Sequence, residues 1–317
     1  MKDLILVSLS TFGVHDEEPL STLKRSGYPL RIHGSGKRIT KEELLVEACD
    51  ATVILAGVEL YDAETLSALV DLRCISRCGV GVDSIDLEVA RERGITVANT
   101  PNIPTQAVAE LALAMFLALS RNLRAQANLM GERRWERLDA HLLAGRTVGL
   151  LGLGRIGRRV AELSRAFGAH VLAHDPFGDP SVAKSLGVTL VGKAQLLAGS
   201  DIVSLHASSG GSERVLVGAP ELTAMKPGAT LVNLARGGMV DEVALAAALS
   251  AGHLSAAGLD VFGEEPYGGP LCDFEQVILT PHSATSTVET RSEMEAQCVE
   301  NALDFLDGSV PPARRVV

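Results

Sequence analysis

One stretch, Arg146 to Asp175, does most to limit what this chain can fold into. A short apolar run leads into Gly152-Leu153-Gly154-Arg155-Ile156-Gly157, a helical pattern follows, and a second apolar run closes on an acid. This order predicts a strand, a glycine turn, a helix and a second strand. Gly152 suits the tight turn, Gly154 lets a pyrophosphate approach the backbone, and Gly157 lets the helix pack close to its strand. The helix N-terminus turns free N–H groups and the positive end of its dipole toward phosphates. Asp175 lies about twenty residues past the glycines, where a carboxylate takes the hydroxyls of an adenosine ribose. The stretch reads as a dinucleotide site; the alternative is a tight βα turn that binds nothing. An acid at 175 favours NAD, because it repels the 2′-phosphate of NADP.

The flanking sequence continues the α/β rhythm. Before the turn, Leu4–Leu9, Ala51–Ala56, Cys74–Arg77 and Thr96–Ala98 read as strands. Between them Lys41–Ala48 (N-capped by Thr40), Ala63–Leu69 and Leu87–Arg93 read as helices, the last ended by Gly94. The two prolines of Asn99–Pro104 mark a hinge. A long apolar helix, Gln106–Leu119, follows, and Arg121–Leu143 reads as polar and helical, with Trp135 as a packing anchor. After Asp175 come strands at Val188–Val191, Ile202–Leu205, Thr230–Asn233, Ala256–Leu259 and Val277–Leu279, and a helix at Asp241–Ser250. The last helix, Ser286–Leu306, has an apolar face that needs a partner in the first domain. The prediction is an α/β chain of two Rossmann-like domains with doubly wound parallel sheets. A discontinuous substrate domain takes residues 1–99 and 287–317, and an NAD-binding domain takes 100–286. At 317 residues the chain is long enough for both. Its hydrophobic fraction of 46% with only 3% aromatic implies a core of Ala, Leu and Val, which suits buried parallel strands.

Composition narrows the partners. A net charge of −10 argues against nucleic acid or an anionic membrane surface. The apolar run in Met1–Ser10 is too short for a signal peptide, and no run approaches the length of a membrane span. Five scattered cysteines without C-x-x-C spacing point to reduced thiols in a cytoplasmic protein, and the eight histidines form no metal constellation. Cys78 reads as packing, since only Arg77 beside it in sequence would make it reactive.

Candidate chemistry lies on loops that follow strands, where open α/β sheets line their ligand crevices. In the first half these are Gly57-Val58-Glu59 and Cys78-Gly79-Val80-Gly81. In the second half, Arg236 follows a strand and precedes two glycines. It is either a bidentate clamp for a carboxylate or an exposed arginine at a strand end. Asp260 ends a strand and is placed to accept from a nicotinamide carboxamide. Glu264 and Glu265 read as a solvated acid pair. His282, fixed behind Pro281, is a general acid/base if a carboxylate stands close, and Glu265 is the candidate for that carboxylate.

These residues together carry a resemblance. Arg77–Asp86, Asn99-Thr100-Pro101 with Ala109–Ala112, Gly152–Gly157, Asp175-Pro176-Phe177, Asn233–Gly237, Asp260–Pro266 and Pro281-His282 resemble the D-isomer-specific 2-hydroxyacid dehydrogenases, most closely their phosphoglycerate dehydrogenase branch. The resemblance implies a homodimer built on the long helix and the segment after it. It implies catalytic Arg236, Glu265 and His282, and substrate binding by Gly57, Val80, Gly81 and Arg236. It implies NAD binding by Gly152, Gly154, Arg155, Ile156, Gly157, Asp175, His206 and Asp260. The implied reaction moves hydride between NAD and a small 2-hydroxy or 2-oxo acid. Glyoxylate or hydroxypyruvate reduction, or an NAD-sensing corepressor, are the alternatives.

Three departures qualify the resemblance. Where the phosphoglycerate branch carries Arg-Ser, this chain has Ala56-Gly57, which puts a phosphorylated substrate in doubt; Arg77 is not expected to compensate. After His206 the family commonly runs Pro-Leu-Thr, and here Ser208-Ser209-Gly210 stands near that point. The chain ends at Val317 without a regulatory domain, so no feedback by serine is expected.

Overall fold

The computed structural model describes residues 3–208 and 215–317; Ser209 and Gly210 of the altered loop lie outside the described residues. The chain divides into two compact units, Met1–Pro104 with Ser286–Val317, and Thr105–Thr285. The first unit alternates β1 (Ile5–Val7), α1 (Glu18–Arg25), β2 (Leu30–Ile32), α2 (Lys41–Glu47), β3 (Val53–Ala56), α3 (Ala63–Ala68), β4 (Cys74–Arg77), α4 (Leu87–Glu92) and β5 (Thr96–Ala98). The strands are all parallel, in the order β2-β1-β3-β4-β5. Successive strand residues face opposite sides. Leu6, Ile54, Ile75 and Val97 meet Leu44, Leu66 and Ala90 of α2, α3 and α4. Ile5, Val7, Val53, Leu55 and Cys74 form the core on the other face. Both faces are covered, so β3 reads as an unbroken apolar run. Thr40 caps α2 as expected. Its Oγ1 accepts the Glu43 N–H at 3.2 Å while its own N–H donates to Glu43 Oε2 at 2.9 Å. Helix α1 and the partly exposed edge strand β2 add to the sequence reading. A three-residue strand with an arginine at its centre gives no periodic signal.

The second unit holds nearly all of α5 (Pro104–Ser120), then α6 (Leu123–Gly131), β6 (Thr147–Leu151), α7 (Arg155–Ala166), β7 (His170–His174), α8 (Pro180–Ser185), β8 (Thr189–Leu190), α9 (Lys193–Gly199), β9 (Ile202–Leu205), α10 (Ala219–Ala224), β10 (Ala229–Asn233), α11 (Glu242–Ser250), β11 (Leu254–Leu259) and β12 (Val277–Leu279). Its seven parallel strands run β12-β11-β10-β9-β6-β7-β8. The order reverses between β6 and β9, and this is where such a sheet opens a crevice beyond its carboxyl ends. Helix α12 (Val288–Leu306), capped by Thr287, returns the chain to the first unit. There Met294, Cys298, Val299 and Ala302 pack against β1, β3 and β4.

Pro104 opens α5, two residues before the expected start at Gln106, because a first-turn residue needs no donating N–H. One local expectation fails. Residues 121–143 are not one helix. The left-handed Arg133, at φ 62, ends the helical turn after α6, and no regular element follows until β6. Trp135 is 81% exposed, so it anchors no packing within the unit. Trp135, Leu138 and Leu142 have helical spacing, but a stripe forms a buried face only where the fold offers it a surface.

Candidate functional site

The glycine turn leaves β6 at the switch point. Gly152 has φ +104, and a Cβ on it would lie 2.7 Å from the His206 carbonyl and the Ala207 nitrogen, at the end of β9. A Cβ on Gly157 would come within 2.3 Å of the Gly152 oxygen, so α7 can start this close to β6 only without a side chain there. Nothing lies within 4 Å of the equivalent point on Gly154, so its backbone is open to a ligand. Arg155 is exposed and Ile156 half-buried on the first turn of α7. The Asp175 carboxylate closes the arrangement: Oδ2 accepts the Leu153 N–H at 2.8 Å and Oδ1 accepts the Phe177 N–H at 2.9 Å. An open backbone, a helix N-terminus and an acid beyond the second strand fit an NAD molecule. His206 abuts the turn. Its Nε2 lies 2.9 Å from Ser204 Oγ, and its Nδ1 is buried without a hydrogen-bond partner among the described residues. Burial pushes its pKa down to about 4, so the ring is neutral at pH 7.

Strands β10, β11 and β12 are neighbours, so the loops that leave them are neighbours too. The Arg236 loop is tied down by Asn233. Its Oδ1 accepts the Ala235 N–H at 3.0 Å and its Nδ2 donates to the Arg236 carbonyl at 2.9 Å. Gly237 then passes against the β11 loop, where a Cβ would meet the Phe262 oxygen at 1.7 Å. Asp260 is wholly buried. Its carboxylate accepts from Thr280 Oγ1, from the Ser283 N–H at 2.8 Å and from the Ala284 N–H at 3.0 Å. Its carbonyl accepts the His282 N–H at 2.8 Å. What the structure shows for Asp260 is therefore the anchoring of the His282 loop. That anchoring holds His282 at φ 50, a left-handed conformation costing a non-glycine residue roughly 1–3 kcal/mol. Glu265 completes the group. Its Oε2 lies 2.9 Å from His282 Nδ1, and its Oε1 accepts the Phe262 N–H at 3.2 Å. Both acids of the pair are exposed, but Glu265 is also committed to the histidine. A carboxylate on Nδ1 fixes the tautomer and leaves Nε2 to exchange a proton.

The remaining candidates lie in the first unit. The Val80 carbonyl accepts from Asn99 Nδ2 at 2.9 Å, and the Gly79 carbonyl accepts the Thr100 N–H at 3.1 Å, which pins the loop carrying Val80 and Gly81. After β3, the Gly57 N–H donates to Glu59 Oε2 at 2.6 Å. Glu59 is buried, and desolvation raises its pKa. A single acid in a loop gives no sequence signal of burial. Cys78 is buried as expected, but its surroundings are not inert. A hydrogen bond with Cys298, helped by Arg291 and Arg77, lowers its pKa despite burial; Cys298 and Arg291 are brought there by α12.

The sheet order, the glycine turn and the acid after β7 define a dinucleotide-binding α/β protein. The family model described as "D-isomer specific 2-hydroxyacid dehydrogenase, NAD binding domain" matches residues 113–284. The chain is 40% identical over 276 residues to the D-3-phosphoglycerate dehydrogenase of Mycobacterium tuberculosis strain H37Rv, a match covering 86% of this chain and 52% of that protein. It is 39% identical over 283 residues to the glyoxylate reductase of Aeropyrum pernix, covering 86% of this chain and 84% of that protein. The crystal structure of D-lactate dehydrogenase from Aquifex aeolicus complexed with NAD and lactic acid superposes with a TM-score of 0.86 at 27% identity, covering 99% of each chain. The chain belongs to the D-isomer-specific 2-hydroxyacid dehydrogenase family and carries its NAD-binding domain. It spans about half the length of the phosphoglycerate dehydrogenase it matches.

Proposed function

We propose that this protein is an NAD-dependent dehydrogenase that interconverts a small 2-oxo acid and its D-2-hydroxy acid. The observation that carries the reading is the His282–Glu265 pair, held at 2.9 Å on a strained, multiply anchored loop. Bound NADH supplies the hydride that reaches C2 of the 2-oxo acid. His282 gives its Nε2 proton to the carbonyl oxygen and takes it back in the oxidation direction. Glu265 holds the imidazole in the required tautomer through Nδ1. Arg236 takes the substrate carboxylate and polarises the carbonyl. Gly57, Val80 and Gly81 are assigned to the substrate, and the glycine turn, His206, Asp175 and Asp260 to the cofactor half. The half-exposed Asp175 disfavours a 2′-phosphate and so selects NAD.

The exposed Leu123, Met130, Trp135, Leu138 and Leu142 fall within twenty residues and support a homodimer that covers them. No helix among the described residues is long and apolar enough to cross a membrane. All five cysteines are free, which supports a cytoplasmic setting.

The decisive experiment offers a panel of 2-oxo acids with NADH and follows the nicotinamide absorbance. Turnover of at least one member is expected. Tight NADH binding with no turnover on any of them would mark the protein as a nucleotide-sensing binder instead.

A further inference from the structure

The first unit has a switch point of its own. Its sheet order reverses between β1 and β3, so its ligand crevice opens beyond their carboxyl ends. An anion entering there would seek backbone N–H groups and arginines. A carboxylate of the chain itself already holds that position. Glu59 folds back over its own loop and takes the Gly57 N–H at 2.6 Å. A Cβ built on Gly57 would lie 3.0 Å from Glu59 Oε1 and 3.1 Å from Leu9 Cδ2. The carboxylate is therefore seated between the two loops that flank the switch point. Glu59 is only 5% exposed.

Burial raises the Glu59 pKa, and the charges of Arg38 and Arg77 lie near enough to oppose that rise. Each is also bonded locally, Arg38 to the Val58 carbonyl and Arg77 to the Cys78 carbonyl. Ala56, which ends β3, is wholly buried and brings no charge. The wall therefore carries a buried carboxylate that already occupies the Gly57 amide, with both arginines held on neighbouring carbonyls. A second, doubly negative group placed beside it in a poorly solvated crevice is repelled.

We propose that Glu59 is a specificity-determining residue that keeps phosphate out of this crevice, so that the substrates are unphosphorylated 2-hydroxy and 2-oxo acids. The proposal rests on the dehydrogenase reading and names its substrate class. It separates the two activities carried by the relatives, since 3-phosphoglycerate bears a phosphate and glyoxylate does not.

Glycerate and 3-phosphoglycerate differ only by that phosphate, as do hydroxypyruvate and its 3-phosphate. The test measures binding of glycerate and 3-phosphoglycerate to the NADH-saturated protein by thermal shift, and reduction of the two oxo acids by nicotinamide absorbance. Glu59→Gln keeps an oxygen for the Gly57 N–H and removes only the charge. The wild type is expected to bind glycerate and to reject 3-phosphoglycerate. In Glu59→Gln the affinity ratio of phosphorylated to unphosphorylated ligand should rise by about tenfold or more, the size of one like-charge contact removed. Wild-type binding of 3-phosphoglycerate as tight as that of glycerate overturns the proposal even if the variant fails to fold, and so does an unchanged ratio in a folded variant. The two arms separate the claims. Discrimination in binding without turnover of any oxo acid sinks the dehydrogenase reading and leaves the Glu59 assignment standing. Equal reduction of both oxo acids does the reverse.

Discussion

The Asp175 carboxylate reaches back across twenty-two residues to accept the Leu153 N–H at 2.8 Å. The acid expected to select the cofactor is thus also a strut of the glycine turn. The two jobs share one side chain because β6 and β7 are adjacent parallel strands, with Leu151 opposite His174.

Asp175→Ala removes a charge-assisted hydrogen bond worth about 1.5–3 kcal/mol, so NAD affinity should fall by roughly ten- to a hundredfold. The NAD-to-NADP preference in kcat/KM should fall as well. Fluorescence titration with NADH and NADPH separates the roles: equal weakening of both leaves Asp175 as a strut alone.

His282→Ala should lower kcat by about a hundredfold to ten-thousandfold, with NADH affinity little changed. Glu265→Gln should lower kcat as well, since it keeps the size but no longer holds Nδ1 with a carboxylate. Steady-state rates across pH check both; an unaltered rate for His282→Ala removes the histidine from the chemistry.

Gly237→Ala drives a methyl group into the Phe262 carbonyl. Overpacking of this kind costs about 1–3 kcal/mol, and here the backbone itself must move. The thermal midpoint should drop by several degrees, and kcat should fall because the Arg236 loop shifts. Gly154→Ala, with open space around it, is expected to leave the midpoint nearly unchanged while weakening NADH binding.

His206 makes stability pH-dependent. Unfolded, its ring takes a proton near pH 6.5; folded, it resists until about 4. Between those values the unfolded state binds more protons, so stability is present above about 6.5 and is lost as pH falls toward 4, by at most about 3 kcal/mol. Thermal midpoints of wild type and His206→Gln, measured from neutral pH down to about pH 4.5, give the contribution. Parallel curves would assign the acid sensitivity to other groups.

Trp135→Ala is expected to shift the protein toward monomer in sedimentation, because an 81% exposed tryptophan contributes to no core of its own unit. A wild type that sediments as a monomer ends the dimer reading.

The α/β class and most strands were legible because a parallel sheet covered on both faces demands apolar runs such as Val53–Ala56, and because glycines at 152, 154 and 157 have few structural readings. Thr40 announced the N-cap of α2, because a cap contacts residues only three positions on; the structure adds Glu43 as its capping-box partner. The reading of Arg121–Leu143 as polar and helical, with Trp135 as a packing anchor, failed because a local pattern does not state whether the fold supplies a surface for it. Arg236, Glu265 and His282 could be named as candidates, and Glu265 as the carboxylate for His282, but not what holds that pair together. His282 meets Glu265 because β11 and β12 pair in register and because the buried Asp260 ties the two loops together. Glu59 and Cys78 took their character from burial and from Arg38, Cys298 and Arg291, groups supplied by other elements. Local sequence determined the elements and the cofactor turn, since those depend on residues close along the chain. Tertiary structure alone decided which charges are buried and which side chains face one another, since burial and pairing are properties of groups brought together from far apart.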